Sequence, residues 1–425
     1  VTAALEEPAF FAGAAMVDIT PRTGVAMSGF AARTTAATGT HDPLTARAVV
    51  VGDTAIVVAD IIGFDAAMSA RIRARAPVPP ENVVVAALHT HGGPVSMPGR
   101  LGDADPGTLD AIEEGCIAAL HGAAAARRPC RMAYGVGHDP CVAHNRRRPD
   151  GPRDGAVPVI EITDLDGRAV ASIVSHACHP VVLGADNTLW TADYPGFVRR
   201  EMEAAKPGSL CMYLTGCAGD LNTGHSAQAS FSTGAAPRRT FEEASRIGRA
   251  VAASALSAPL RPVHGAAAAA DATVHLNFAR RDTQPALEQA ELWRSEFPAS
   301  DPGRAALLRA WIGWAETAAN APMTPAAARV SVLRWGSVLL AALPGEPFCR
   351  TGMDIQRALG GAVVTLGYAD SCPGYLPPRG EYAFGGYEVD DAHRYYGMPA
   401  PFAPGCAETL ADEAVRLGRR LRGGG

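Results

Sequence analysis

The chain is expected to fold as α/β, a layered mixed β-sheet domain flanked by helices with a helical insertion, on three observations. Short β-branched runs alternate with Ala-rich helical stretches through the first half. Several of those runs follow one another with no helix between them, so antiparallel pairs join the parallel ones. The 425 residues are 48% hydrophobic and 19% charged, the balance of a globular chain with a sizeable core.

The elements follow in order. Ala48–Val51, Ala55–Ala59, Val83–Leu88, Val157–Ile162, Val170–Ser175 and Leu210–Thr215 read as buried or half-buried strands, with helices at Pro106–Ala126 and Pro195–Ala205. The Ser/Ala/Gly-rich stretch His225–Pro237 reads as a loop. Apolar and charged residues at helical spacing then predict a helix over Thr240–Ala258 and a helical block over Gln284–Asn320 that carries Trp293, Trp311 and Trp314. Ala328–Arg334 and Ser337–Leu343 form a strand pair turning at Trp335–Gly336 and running into Pro344-Gly345-Glu346. Val363–Tyr368 is the last strand before a Gly/Pro/Tyr-rich segment that reaches Tyr396, and Glu408–Leu421 is a short helix. With no repeat and no linker, residues 1–425 are expected to make one catalytic domain, interrupted by a helical insertion at 238–325.

A core of this size is stable without a disulfide or a structural metal, so any metal here points to chemistry. Net charge is −5, and all but one of the 38 basic residues are arginines scattered through Ala-rich sequence, Lys206 being the exception. That distribution argues against a nucleic-acid reader. The leading apolar runs fall far short of the roughly 20 residues of a membrane span. Nine cysteines, without close even spacing or a CxxC pair, read as reduced thiols, which favours the cytoplasm. No charged-then-apolar leader is visible after Val1, and a leader removed beforehand is compatible with the same sequence.

Three stretches carry chemistry. The strand Val83–Leu88 ends in His89-Thr90-His91-Gly92-Gly93, where side chains two apart share a face and the glycines let backbone approach a ligand; the bland alternative is a pair of surface histidines. The strand Val170–Ser175 runs into His176-Ala177-Cys178-His179, again just beyond a strand end, with Cys178 read as a structural thiol. Glu346 follows a buried strand, where a carboxylate is costly unless something positive receives it. Two imidazoles and a carboxylate suit catalytic zinc with a place left for water.

These residues resemble the neutral ceramidase family, zinc amidases that cleave the N-acyl bond of ceramide. Seven landmarks occur in the family's order: Asp18-Ile19-Thr20-Pro21 with Met27-Ser28-Gly29-Phe30, His89-Thr90-His91, Asn145-Arg146, His179-Pro180, Gly219-Asp220, Pro344-Gly345-Glu346 and Gly374-Tyr375-Leu376. The resemblance implies that His89, His179, Glu346 and Tyr375 hold Zn²⁺. It also implies that His91, Arg146 and Tyr387 line the pocket, with His91 placed to pass a proton to the leaving amine. Tyr387 stands twelve positions after Tyr375, as in the family's tyrosine pair.

The chain departs from the family in two ways. Where the family has a serine after Gly-Asp-x, this sequence reads Gly219-Asp220-Leu221-Asn222, so a serine nucleophile there is excluded and Asn222 is left as a donor to substrate. The neighbouring hydroxyls Thr223 and Ser226 have no base at triad-like spacing. The family's C-terminal domain has no counterpart after Tyr396, while Arg146-Arg147-Arg148 and Arg379 offer guanidinium groups for a carboxylate or phosphate. The expected substrate is therefore a small molecule, polar or acidic, in place of ceramide. Asp193 either caps the helix at Pro195 or helps as a base or by orienting an imidazole. The expected reaction is hydrolysis of a linear amide by zinc-activated water. Ester or lactone hydrolysis at the same zinc, and a metal-binding protein without turnover, are the alternatives.

Overall fold

In a computed structural model of the chain, residues 10–100, 102–225, 238–279, 286–300, 302–317 and 321–423 are described. Ser226, the rest of the expected loop to Pro237, and both ends of the 284–320 block fall outside them.

The larger sheet contains nine strands: β1 (Phe10–Asp18), β2 (Thr45–Val51), β3 (Thr54–Ala59), β4 (Val83–Ala87), β5 (Arg128–Gly137), β6 (Val157–Asp164), β7 (Ala169–His176), β8 (Leu210–Thr215) and β9 (Arg261–Val263). Its order is β8-β7-β6-β5-β1-β2-β3-β4, with β9 paired to β5. The outermost pairs β8–β7 and β3–β4 are parallel and the others antiparallel, the mixture the uninterrupted strand runs predict. A smaller sheet holds β10 (Ala267–Leu276), β11 (Ala326–Trp335), β12 (Val338–Ala342) and β13 (Val363–Leu366) in sequence order.

Side-chain alternation layers these sheets. Along β2 to β4, Ala48, Val50, Val57 and Val85 face one core with α1 (Ala66–Ala74) and α2 (Pro106–Ala125). Val49, Val51, Ile56 and Val84 face the other, which they share with Leu333, Val338 and Leu340 of the smaller sheet. Val330, Val332 and Leu339 on that sheet's far side pack with α7 (Cys349–Leu359) and α8 (Cys406–Gly423). At the other end of the larger sheet, α3 (Tyr194–Ala205) packs on α4 (Phe241–Leu256).

The span 238–325 is not uniformly helical. It begins with α4, contributes β9 and β10 to the two sheets, and only then makes the helix pair α5 (Ala286–Glu296) and α6 (Pro302–Thr317). The turn of the β11–β12 hairpin is also one residue later than expected. Trp335 pairs with Val338, leaving Gly336-Ser337 as the loop, because Gly336 takes a φ of 59° and the buried Trp335 indole donates to Thr54 Oγ1 at 2.8 Å. None of the nine cysteines is paired, and no helix among the described residues is long and apolar enough to cross a membrane.

Three strand ends meet, and their meeting positions the site. After β13, Ala87 N donates to Tyr368 O at 3.0 Å and Asp370 N to Val85 O at 2.6 Å, which stitches the smaller sheet to the β4 edge. At the end of β8, Thr215 Oγ1 donates to Leu88 O at 2.6 Å and Thr215 O accepts from Gly367 N at 3.2 Å. Residues just past β4, β7 and β12 are thereby brought to one point.

Candidate metal centre

His89 leaves β4 in a left-handed conformation, φ 66°, which a non-glycine residue holds only when its surroundings fix it. Two bonds do so here. Its N–H donates to Ile61 O at 2.9 Å, and its Nδ1 lies 2.6 Å from Ile62 O. His179 lies three residues beyond β7, with Nδ1 2.6 Å from Ala218 O and 3.0 Å from Leu221 O. Glu346 follows Gly345, whose φ of 70° and close approach to Gly374 O leave no room for a Cβ. Residues 346–347 pair in parallel with 375–376, setting Glu346 beside Tyr375.

Because carbonyl oxygens can only accept, the Nδ1 of both His89 and His179 must carry the proton, and each Nε2 is a bare lone pair in the neutral ring. Burial pushes His179 down to about 4, Arg146 adding to the effect, so its ring is neutral near pH 7. Yet His179 Nε2 is 2.8 Å from Glu346 Oε2, and His89 Nε2 is 3.3 Å from the same oxygen without making a hydrogen bond. With the His179 ring neutral, its Nε2 and Glu346 Oε2 are two acceptors facing each other in a fully buried place, and His89 Nε2 points to the same oxygen. A cation resolves that conflict, and two imidazoles plus a carboxylate are the donor set of a divalent metal with open positions. Donation of each ligating imidazole's other N–H to a carbonyl is the usual orienting contact for a metal ligand.

His91 differs from its two neighbours. His89, His91 and His179 can bring one nitrogen each within 4.8 Å of one another, so the three form a cluster that could hold a metal. Neither nitrogen of His91 has a hydrogen-bond partner, and its ring instead packs on Phe30 with centroids 4.9 Å apart. Burial holds its imidazole well below the usual range. It is a neutral ring whose tautomer nothing fixes.

The sequence-predicted pocket residues divide. Arg146, Asn222, Tyr375 and Tyr387 line the same cavity as His89, His91 and Glu346. Arg146 donates to Tyr375 Oη at 3.0 Å, to Gly219 O at 2.9 Å and, through Nε, to Glu388 Oε1 at 2.8 Å. Burial raises the phenols of Tyr375 and Tyr387 well above their ordinary value, so both keep their protons. Asn222 is largely committed to its own turn, its Oδ1 accepting from Gly224 N and His225 N and its Nδ2 donating to His225 O.

Other expectations need correction. Arg147 and Arg148 are not free for an anion: Arg147 pairs with Glu388 at 2.6 Å and Glu381 at 3.1 Å, and Arg148 with Glu381 at 3.0 Å. Arg379 is exposed and outside the cavity, its backbone N–H held by Glu408. Asp193 orients no imidazole. Its carboxylate accepts from Val182 N, Leu183 N and Tyr194 N, which caps α3.

Four side chains at the site carry no sequence motif. Tyr396 Oη donates to Glu346 Oε1. Glu388 holds Arg146 and Arg147. Arg100 and Arg239 line the cavity. Only the Gly/Pro/Tyr richness of the segment up to Tyr396 hinted at the first.

No protein-family model and no curated protein matches the chain. Solved structures do. The neutral ceramidase from Pseudomonas aeruginosa superposes with a TM-score of 0.77 over 98% of this chain and 75% of that one, at 20% identity. A ceramidase complexed with C2 gives 0.76 over 98% and 76%, also at 20% identity. The chain has the neutral-ceramidase-like fold that the ordered landmarks imply.

Proposed function

We propose that this chain is a zinc-dependent amidohydrolase that cleaves a linear amide with water. The observation that carries the reading is the convergence of His89 Nε2 and His179 Nε2 on Glu346 Oε2, beside a cavity that His89 and Glu346 line. In this reading His89, His179 and Glu346 hold the metal and Tyr375 is the fourth protein ligand. When bound, zinc supplies a Lewis acid for the amide carbonyl and lowers the pKa of water toward about 7.

The chain's own groups handle the protons and the orientation. His91, neutral and unpartnered at both nitrogens, takes the proton from the attacking water and returns it to the amine as the C–N bond breaks. Arg146 fixes the Tyr375 phenol by donating to its oxygen, and that donation makes the phenol better able to support negative charge developing on the carbonyl oxygen. Phe30, Val95, Met97 and Val181 give the cavity apolar surface that limits water around the reacting groups. The likeness to solved ceramidases supports the choice of an amide over other bonds.

The test is the zinc-loaded protein on a panel of linear amides with matched esters, read as amine or alcohol release. Amine release that disappears in His91→Ala with zinc retained is the expected result. A loaded protein inert on every amide overturns the reading, and turnover of the esters alone replaces it with an esterase.

A further inference from the structure

Arg146, Arg147 and Arg148 are already tied to two carboxylates, Glu388 and Glu381, and other arginines face the cavity. Arg239 and Arg100 line it together with the metal-binding side chains. Arg239 sits over the Phe30 ring, guanidinium carbon 5.8 Å from its centroid, and the opposite neighbour of Phe30 is His91. Its one hydrogen bond among the described residues is a long contact of 3.5 Å to Leu183 O. Arg100 lies 4.8 Å over the ring of Tyr396, the residue bonded to Glu346, and gives one N–H to Cys372 O. Neither forms an ion pair with any carboxylate among the described residues; burial lowers the pKa of Arg239, against which the charges of Asp186 and Asp193 act from beyond ion-pair distance.

The surroundings add positive charge. Arg33, half-buried with its guanidinium carbon 4.8 Å from the Phe30 centroid, donates to three carbonyls, Ser28 O, His91 O and Gly184 O, and its nearest opposing charge is Asp186, which it does not hydrogen-bond. Glu346 is the cavity's only lining carboxylate among the described residues, and a divalent cation would more than cancel it. A half-buried guanidinium with no carboxylate in ion-pair contact is costly, so a cavity built this way is complementary to an anion.

We propose that the substrate carries an oxyanion, carboxylate or phosphate, seated on Arg239 with Arg100 as second donor, while the amide lies at the metal. The inference rests on the amidase reading for its substrate and on the cavity alone for its anion. A charge-assisted hydrogen bond of this kind favours the anionic member of a matched pair by about ten- to hundred-fold.

Three pairs test it on the zinc-loaded protein. N-acetylphenylalanine against N-acetylphenethylamine places a carboxylate on the amine side. Succinanilic acid against butyranilide places it on the acyl side, and N-acetyl phosphoethanolamine against N-acetyl ethanolamine supplies phosphate. The expected result is a kcat/KM preference of about tenfold or more for the anionic member of at least one pair. That preference, expressed mainly in KM, should fall toward one in Arg239→Gln and be partly restored in Arg239→Lys. Retained zinc shows that the variants are folded. Equal turnover within every pair overturns the inference and leaves the amidase intact, as does a preference that survives in both Arg239→Gln and Arg100→Gln. If no amide is cleaved, calorimetric binding of the anionic members separates the two claims. Binding lost in Arg239→Gln supports the anion site without the amidase, and no binding overturns both.

Discussion

His179 Nε2 and Glu346 Oε2 face each other at 2.8 Å with both side chains essentially inaccessible to solvent, and the His179 proton is committed to backbone carbonyls on the far side of the ring. Such a pair repels unless a cation lies between them. The first consequence is thermodynamic. Chelation should lower the unfolding midpoint and zinc should restore it, by about 2.7 kcal/mol of added stability at a hundredfold excess over Kd. Scanning calorimetry of chelated and reloaded protein reads this directly. Identical midpoints would argue against a folded-state metal site.

Tyr396 supports the same carboxylate from behind. Tyr396→Phe removes the donor to Glu346 Oε1 and should weaken zinc binding by about ten- to hundred-fold, measured by competition with a chromophoric chelator. Unchanged affinity would make the contact incidental.

Gly29 makes room for the His91 ring. It has a φ of 100°, and a Cβ there would lie 2.6 Å from the His91 ring. Gly29→Ala should displace His91 and cut kcat by roughly a hundredfold or more, with zinc content unchanged. If kcat holds, His91 is not where the proton moves.

Asp193 reports on pH through stability. Burial raises its carboxyl from 3.8 to about 6, outweighing three backbone N–H donors. The folded pKa is above the unfolded one, so its contribution is full below about 4 and is lost as pH rises through about 6. Two pKa steps correspond to roughly 3 kcal/mol. Stability of wild type minus that of Asp193→Asn, from denaturant unfolding, should therefore fall by up to that amount between pH 4 and 7. A difference that rises with pH would reverse the assignment.

What could be read from the sequence follows from the local physics of each residue. Nearly all the β-branched runs became strands, and His89, His179 and Glu346 were visible because each lies within a few residues of a strand end. Strand β10, Ala-Ala-Ala-Ala-Asp-Ala-Thr-Val-His-Leu, was not foreseen, since alanine favours helix and only pairing with β11 makes this stretch extended. Strands β1 and β5 and helix α1 were missed for want of a clear period, whereas α7 was missed although its apolar residues fall on one helical face. In the site, Arg100, Arg239 and Tyr396 reach the cavity from segments with no motif. Arg379 resembled a ligand clamp because sequence proximity to Tyr375 does not say which way a loop residue turns.

The most direct measurement is the zinc content of purified protein by elemental mass spectrometry, in wild type, His179→Ala and Glu346→Ala. The account predicts about one zinc per chain in wild type and its loss in both variants. Wild-type protein that carries no metal and takes none up from added zinc would contradict it.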